Sequence, residues 1–262
     1  MSHLGVSGSG ALDRRSSGLA NRLVGNARSA AVLETTLGGL ALRAEAGLYV
    51  AVTGAHVPIS VDGSARGMNS AFRLREGQLL ELGDADTGLR SYVAVRGGFA
   101  LPPVLGSRAR DVMSGLGPEP LRAGDLLPVG DEHGDFPPID CAPVARRGAE
   151  EVVVDYVLGP RDDWFHPEAI RLLGGSRWTV DVASNRIGVR LHGPTLARAV
   201  TGELPSEGMP LGAIQVPPAG PIVFLNDHPV TGGYPVIGVV RRAHLDDLAQ
   251  LRPGQTVRFR SR

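Results

Sequence analysis

Ala31-Val32-Leu33-Glu34-Thr35-Thr36-Leu37-Gly38-Gly39-Leu40-Ala41-Leu42-Arg43-Ala44 sets short apolar and polar runs on either side of a double glycine. Short segments with a period of two, bounded by glycine turns, are the pattern of half-buried strands, whereas an amphipathic helix needs a period near 3.6. The punctuation continues downstream: Leu48 to Thr53 and Val57 to Val61 are further strand candidates, and Asp62-Gly63 is a hairpin signal. Strand follows strand with no helix between, which predicts a meander and excludes a doubly wound α/β sheet.

Working outward, Leu74-Arg75-Glu76-Gly77-Gln78-Leu79-Leu80 delivers the chain through a glycine turn into another strand. The pattern returns as Leu121-Arg122-Ala123-Gly124-Asp125-Leu126-Leu127 and as Leu251-Arg252-Pro253-Gly254-Gln255-Thr256-Val257. A small residue or proline before glycine suits a turn with positive φ at the glycine. Upstream, Arg14 to Gly25 reads as a helix, with Asp13 as N-cap, Leu19 and Leu23 on one face, and Gly25-Asn26 as its stop. Downstream, strands are expected at Val152 to Leu158, Trp178 to Val182, Ile187 to Leu191, Ala213 to Val216, Ile222 to Leu225, Val236 to Val240 and Thr256 to Arg260. Short helices are expected near Pro167 to Leu173 and Ala243 to Gln250. The chain is therefore expected to be mainly β with a few short helices, in two lobes: 1–130, a proline-rich polar linker over 131–149, and 150–262.

Composition narrows the function classes. The chain has 36 glycines and 20 prolines, where average usage gives about 32 together, an excess that favours short strands and turns. An apolar content of 42% argues for a packed core over disorder. There are 27 basic and 27 acidic residues and the pI is near 7.1, so no broad field draws the chain to nucleic acid or an anionic membrane. Every basic residue is arginine, which excludes a Walker A lysine, a Schiff-base lysine and a biotin attached to this chain. Cys141 is the lone cysteine, so neither an intrachain disulfide nor a multi-cysteine metal site is expected. Met1-Ser2-His3-Leu4-Gly5-Val6 carries no signal-peptide pattern, and no stretch reaches the roughly 18 apolar residues of a membrane span. A cytoplasmic location is the expectation.

Gly8-Ser9-Gly10-Ala11-Leu12-Asp13 departs from a dinucleotide fingerprint, because Asp13 stands where the third glycine belongs. It reads as a turn and helix cap, or as a glycine loop that binds an anion at a helix N-terminus. The histidines at 3, 56, 133, 166, 192, 228 and 244 never fall three to five apart, and Gly-x-Ser-x-Gly is absent, so no metal site and no serine-hydrolase elbow is expected. The densest polar and glycine-rich stretch runs from Gly212 to Pro235 and includes Gln215, Asn226-Asp227-His228 and Thr231-Gly232-Gly233-Tyr234. Polar residues at strand ends beside glycines build binding sites, and equally make solvated hairpin tips. Arg186 is either a clamp for a carboxylate or phosphate, or one member of a surface ion pair.

Ser7-Gly8-Ser9-Gly10-Ala11-Leu12-Asp13, Leu19-Ala20-Asn21-Arg22-Leu23-Val24-Gly25-Asn26, Leu105-Gly106-Ser107-Arg108, Ala213-Ile214-Gln215-Val216-Pro217-Pro218 and Thr231-Gly232-Gly233-Tyr234-Pro235 resemble the biotin-dependent carboxyltransferase domain family. That family includes KipA, proteins labelled allophanate hydrolase subunit 2, and the C subunit of bacterial 5-oxoprolinase. The likeness runs nearly the full length and keeps several separate motifs in order. It implies two cyclophilin-like β-barrel lobes, a companion KipI-like B subunit, a LamB-like A subunit in the 5-oxoprolinase setting, and ATP as the energy source of the assembled complex.

Carried onto this sequence, the resemblance implies catalytic roles for Asp13, Gln215 and Asp227 and substrate-binding roles for Asn21, Arg186 and Tyr234. It implies hydrolysis of 5-oxoproline to glutamate. The rival readings are a non-catalytic KipA-type regulator that binds a KipI-like kinase inhibitor, and a urea carboxylase or allophanate hydrolase-type component. Three departures bear on this. The first motif lies at the start without the strand the family usually places before it, as expected of either a misassigned start or a barrel lacking an edge; Asn185 replaces the family's usual Asp, and Pro229-Val230 replaces Gln-Thr.

Overall fold

A computed structural model of the chain describes residues 4–139, 141–145 and 151–262. The tripeptide Met1-Ser2-His3, on which part of the leader reading rests, and residues 140 and 146–149 of the expected linker lie outside the described residues. The contacts divide the chain into two units, Asp13–Ala109 with Pro118–Arg147, and Met1–Leu12 with Arg110–Gly117 and Gly148–Arg262.

The first unit begins with α1 (Arg14–Leu23), started where the sequence placed it. Asp13 accepts a hydrogen bond from the Ser16 backbone N–H at 2.9 Å and from Ser16 Oγ at 2.6 Å, which satisfies one of the N–H groups a helix start leaves open. Gly25 ends the helix with φ +75°. Eight strands follow: β1 (Leu33–Thr36), β2 (Ala41–Arg43), β3 (Leu48–His56), β4 (Ile59–Val61), β5 (Ser64–Arg66), β6 (Ala71–Leu74), β7 (Leu79–Leu82) and β8 (Thr87–Val95). They form two four-stranded sheets, in orders β1-β8-β3-β6 and β2-β7-β4-β5. Val50, Val52, Val93 and Val95 of one sheet share a core with Ile59, Val61, Leu80 and Leu82 of the other, so this lobe closes as a pair of sheets.

Among the described strands of this unit, β4 and β5 are the only sequential neighbours that pair with each other. Asp62 and Gly63 between them have φ +47° and +77°, the doubly left-handed turn that Asp-Gly favours. The other pairings are between strands distant in sequence, so the expected meander holds for the turns and not for the partners. The expected linker is also corrected in part. Residues 131–139 pack on the first unit, where Arg96 donates to Glu132 Oε2 at 2.9 Å and to the Gly134 carbonyl at 2.6 Å and lies 5.3 Å from the Phe136 ring centre.

The second unit contains β9 (Glu151–Leu158), α2 (Pro167–Gly175), β10 (Arg177–Val180), β11 (Gly188–His192), β12 (Glu207–Gly208), β13 (Ala213–Gln215), β14 (Ile222–Phe224), β15 (Thr231–Gly232), β16 (Val236–Val240), α3 (Leu245–Leu248) and β17 (Thr256–Ser261). Seven of these strands close a barrel in the order β10-β11-β14-β13-β16-β9-β17. All neighbours are antiparallel except β9 and β17, which run parallel from Glu151↔Thr256 to Tyr156↔Ser261. Closure leaves the barrel no open edge. Inside, Trp178 and Phe259 meet edge to face at 6.5 Å, and Trp178 Nε1 donates to the Leu173 carbonyl at 3.1 Å. Leu12, from far upstream in the chain, is buried in the same core, which is one reason the described residues 4–12 belong to this unit and not to a lobe spanning 1–130.

The three repeated turns share one hydrogen-bond plan. Gln78, Asp125 and Gln255 each donate their backbone N–H to the arginine carbonyl three residues earlier, while their side-chain oxygens accept from that arginine's N–H at 2.9, 2.7 and 2.8 Å. Gly77, Gly124 and Gly254 have φ between +81° and +92°, as the third position of a type II turn requires.

Candidate functional site

The register of the barrel places the candidate residues of the second unit at its two ends. Gly188 opposes Phe224, so the start of β11 and the exit from β14 lie at one end. Gln215 opposes both Ile222 and Val236, so the exit from β13 and the starts of β14 and β16 lie at the other.

At the first end Arg186 and Asp227 form a two-pronged ion pair, Nε to Oδ2 at 2.9 Å and Nη2 to Oδ1 at 3.2 Å. Asp227 is fully buried, and its carboxylate also accepts from Ser9 Oγ and from the Val112 N–H, both at 3.2 Å. Arg186 Nη2 reaches the Gly10 carbonyl at 2.5 Å, and Asn226 Nδ2 reaches the Ala11 carbonyl at 2.7 Å. A buried carboxylate needs paired charge and donors around it, and here the donors come from the segment 7–12 and the loop 110–117. Asp111 in that loop accepts from Ser7 Oγ and from the Met113 N–H at 2.9 Å. Burial pushes its carboxyl upward, but the Met113, Ser7 and Ser114 hydrogen bonds outweigh burial and hold it below the usual range.

At the second end Gln215 is buried and donates from Nε2 to the Tyr234 carbonyl at 3.1 Å. Ile214 points into the barrel while Ala213 and Gln215 point outward, since strand side chains alternate. The outer face is covered by the β12–β15 ribbon, and a methyl group at Gly232 would lie 2.7 Å from Gln215 Nε2. Gly232 thus leaves room for the amide that the side chain of any other residue would push aside. Tyr234 is 43% exposed. Arg198 joins this cluster, with Nη2 donating to the Val216 carbonyl at 2.7 Å and its guanidinium carbon 5.6 Å from the Tyr234 ring centre. Among the described residues Gln215 Oε1 and the Tyr234 hydroxyl have no hydrogen-bond partner. The cluster offers an acceptor, a phenol and a cation, groups of the kind that hold a small polar molecule in place.

Arg198 was not legible in the sequence. Thr195-Leu196-Ala197-Arg198-Ala199 has no turn or glycine signal, and its relation to Tyr234 arises only because Phe165 and Arg198 form a β-bridge that lays this segment along the second unit. His228, within the expected polar stretch, has its two ring nitrogens 2.7 and 3.0 Å from the Leu225 and Met209 carbonyls, and so anchors the β12–β15 side.

Asp13 and Asn21 belong to the first unit. Asp13 caps α1 as described, and its own N–H donates to the Tyr92 hydroxyl at 2.8 Å. Tyr92 in turn donates to Glu34 Oε2 at 2.9 Å. Asn21 is fully buried, donates to the Ala30 carbonyl at 2.8 Å and accepts from Asn26 Nδ2 at 3.1 Å. Arg186 is thus brought to Asp227, and Gln215 to Tyr234, while the two pairs stand at opposite ends of the barrel. Asn185 uses its side-chain oxygen locally, accepting from the Ile187 N–H at 2.8 Å.

Residues 4–261 match the family described as carboxyltransferase domain, subdomain A and B. The chain belongs to the carboxyltransferase domain family. Among curated members, it is 36% identical to the C subunit of 5-oxoprolinase from Escherichia coli K12, over 97% of this chain and 83% of that protein. It is 33% identical to the protein of the same name from Haemophilus influenzae Rd, over 97% and 82%. Among solved family structures, the Kluyveromyces lactis urea amidolyase superposes with a TM-score of 0.92 at 30% identity, over 97% of this chain but 17% of that one. TTHA0988 superposes at 0.88 with 36% identity, over 99% and 51%. The chain therefore spans about half of TTHA0988 and a small part of the amidolyase. No helix among the described residues is long and apolar enough to cross a membrane.

Proposed function

We propose that the chain is the C-type member of an ATP-dependent 5-oxoprolinase, acting with KipI-like and LamB-like subunits in the cytoplasm to open 5-oxoproline to glutamate. One observation carries this reading: the correspondence with the C subunit of 5-oxoprolinase covers 97% of this chain and 83% of that protein, whereas it covers only 15% of a urea amidolyase. The Gln215 and Tyr234 cluster supports it chemically. A lactam presents an N–H that an unpartnered amide oxygen accepts and a carbonyl oxygen that a phenol hydroxyl approaches, so the ring can be held with both reacting atoms oriented.

ATP fits the reaction because the lactam is a stable amide, and phosphorylation of its oxygen leaves the ring carbon open to water. The chain has no lysine, so a Walker-type phosphate site is not on it and the nucleotide falls to a companion subunit or to arginines. In this reading Gln215 and Tyr234 orient the substrate. Asp227, assigned a catalytic role by family likeness, instead joins Arg186 in holding the segment 7–12, and Asp13 and Asn21 set the helix that follows.

Reconstitution with the neighbouring A and B subunits tests the reading. Glutamate release from 5-oxoproline and ATP is expected to require this chain, and unchanged release without it sinks the proposal. A urea-type carboxyltransferase role is the second reading, favoured by the TM-score of 0.92 to the amidolyase. It requires a biotin carrier elsewhere, so sensitivity of the activity to avidin separates the two.

A further inference from the structure

Arg198 is a partly buried guanidinium with unused donors. Its Nη2 donates to the Val216 carbonyl and its face lies near the Tyr234 ring, but among the described residues it forms no ion pair, and Nε and Nη1 have no hydrogen-bond partner. Two other partly buried arginines of this unit are closed by acids, Arg161 by Glu207 and Arg186 by Asp227. A partly buried guanidinium, pinned at one nitrogen and open along its other edge, matches the two oxygens of a carboxylate.

We propose that Arg198 recognises the carboxylate of the substrate, and that this end of the barrel selects a small carboxylate whose ring lies beside Tyr234 and whose polar edge meets Gln215. A carboxylate and a phosphate both suit an arginine fork. One guanidinium next to an aromatic ring matches a single negative charge on a compact ring, which favours the carboxylate. The lactam part of the assignment rests on the 5-oxoprolinase reading; the carboxylate part does not.

Binding to the full chain is measured calorimetrically with four probes: 5-oxoproline, its neutral carboxamide, cyclopentanecarboxylate and inorganic phosphate. The wild type is expected to bind 5-oxoproline at least about tenfold more tightly than the carboxamide, the size of one charge-assisted pair. Arg198→Gln is expected to abolish that preference while the tryptophan-monitored melt stays in place, and Arg198→Lys to restore part of it. A merely structural Arg198 would not alter discrimination between acid and amide. Equal binding of acid and amide by the wild type overturns the inference. So does an Arg198→Gln protein that keeps the preference, tighter binding of phosphate, or binding of none of the probes. If cyclopentanecarboxylate binds as well as 5-oxoproline and both depend on Arg198, the arginine assignment stands and the lactam reading falls.

Discussion

Asp227→Asn changes one atom of a fully buried carboxylate and tests whether the Arg186–Asp227 pair holds the barrel end together. The native oxygens accept from Arg186 Nε at 2.9 Å, Arg186 Nη2 at 3.2 Å, Ser9 Oγ at 3.2 Å and the Val112 N–H at 3.2 Å. An amide nitrogen in place of either oxygen sets a donor against donors and removes the charge that balances Arg186. Breaking a buried pair costs about 3 to 5 kcal/mol. The Arg186 side chain keeps 20% exposure, so water screens part of the loss and about 3 kcal/mol is the expected value.

Both tryptophans, Trp164 and Trp178, belong to this unit, so urea unfolding followed by tryptophan fluorescence reads the barrel alone. At a slope of about 2 kcal/mol per molar urea, the midpoint should fall by about 1.5 M. Arg186→Gln should cost a comparable amount. The double variant should cost at least about 1 kcal/mol less than the sum, because the second change removes a group already deprived of its partner. A midpoint that moves by less than half the expected shift, or two changes that simply add, refutes the clamping role.

Tyr92→Phe removes the hydroxyl that accepts from the Asp13 N–H and donates to Glu34, and should cost about 1 to 3 kcal/mol in chemical denaturation. Burial, and then the Glu34 charge, hold the Tyr92 phenol well above its ordinary range. Its contribution is therefore complete below the unfolded value of about 10 and is lost as pH rises toward the folded value, so alkaline melts of the wild type should fall more steeply than those of Tyr92→Phe. Asp155 is held below its ordinary range, chiefly by the Arg260 hydrogen bond and against burial. Its contribution is present above about pH 4 and is lost as pH falls through the folded value, so Asp155→Asn should flatten the acid limb of the melting-temperature profile. Gly193→Ala puts a methyl group 2.5 Å from Trp178 Cε3 and should cost about 1 to 3 kcal/mol by overpacking. Gly232→Ala puts a methyl group 2.7 Å from both Gln215 Nε2 and Met209 Cε, on two buried side chains, so it should cost about 1 to 3 kcal/mol by overpacking and weaken 5-oxoproline binding.

The second unit was legible nearly strand by strand because its strands alternate or are continuously apolar and are bounded by glycine and proline. The first unit was less so. Its central strand β8 went unread, since Thr87-Gly88-Leu89-Arg90-Ser91-Tyr92 carries a glycine and a charge. Arg90 is nonetheless buried, with Glu34 3.5 Å away on the neighbouring β1. Partners lay beyond reach for the same reason: Asp62-Gly63 specifies a turn locally, while nothing local tells β1 to find β8. Of the candidate site, Gln215 and Tyr234 were visible as polar residues at strand ends. The saturation of Asp227 by Ser9 and Val112, and the lack of an acid partner for Arg198 among the described residues, depend on contacts across long stretches of chain and leave no trace in composition or spacing.

Leu12 and Ser9 make their contacts with a barrel formed much later along the chain, and Ser9 and Asp227 are 218 positions apart. At ribosomal speeds of about 5 to 20 residues per second, roughly 10 to 40 s pass between the emergence of the two. During that interval the first unit has its strands in hand, whereas the barrel lacks β17, its parallel partner for β9. Leu12 waits in water, and ring closure must await the last strand, a non-local event that slows folding. The topology thus leaves the segment 7–12 without its barrel partners until most of the chain has been made, so a delay in finishing the barrel lengthens the time these residues stay exposed.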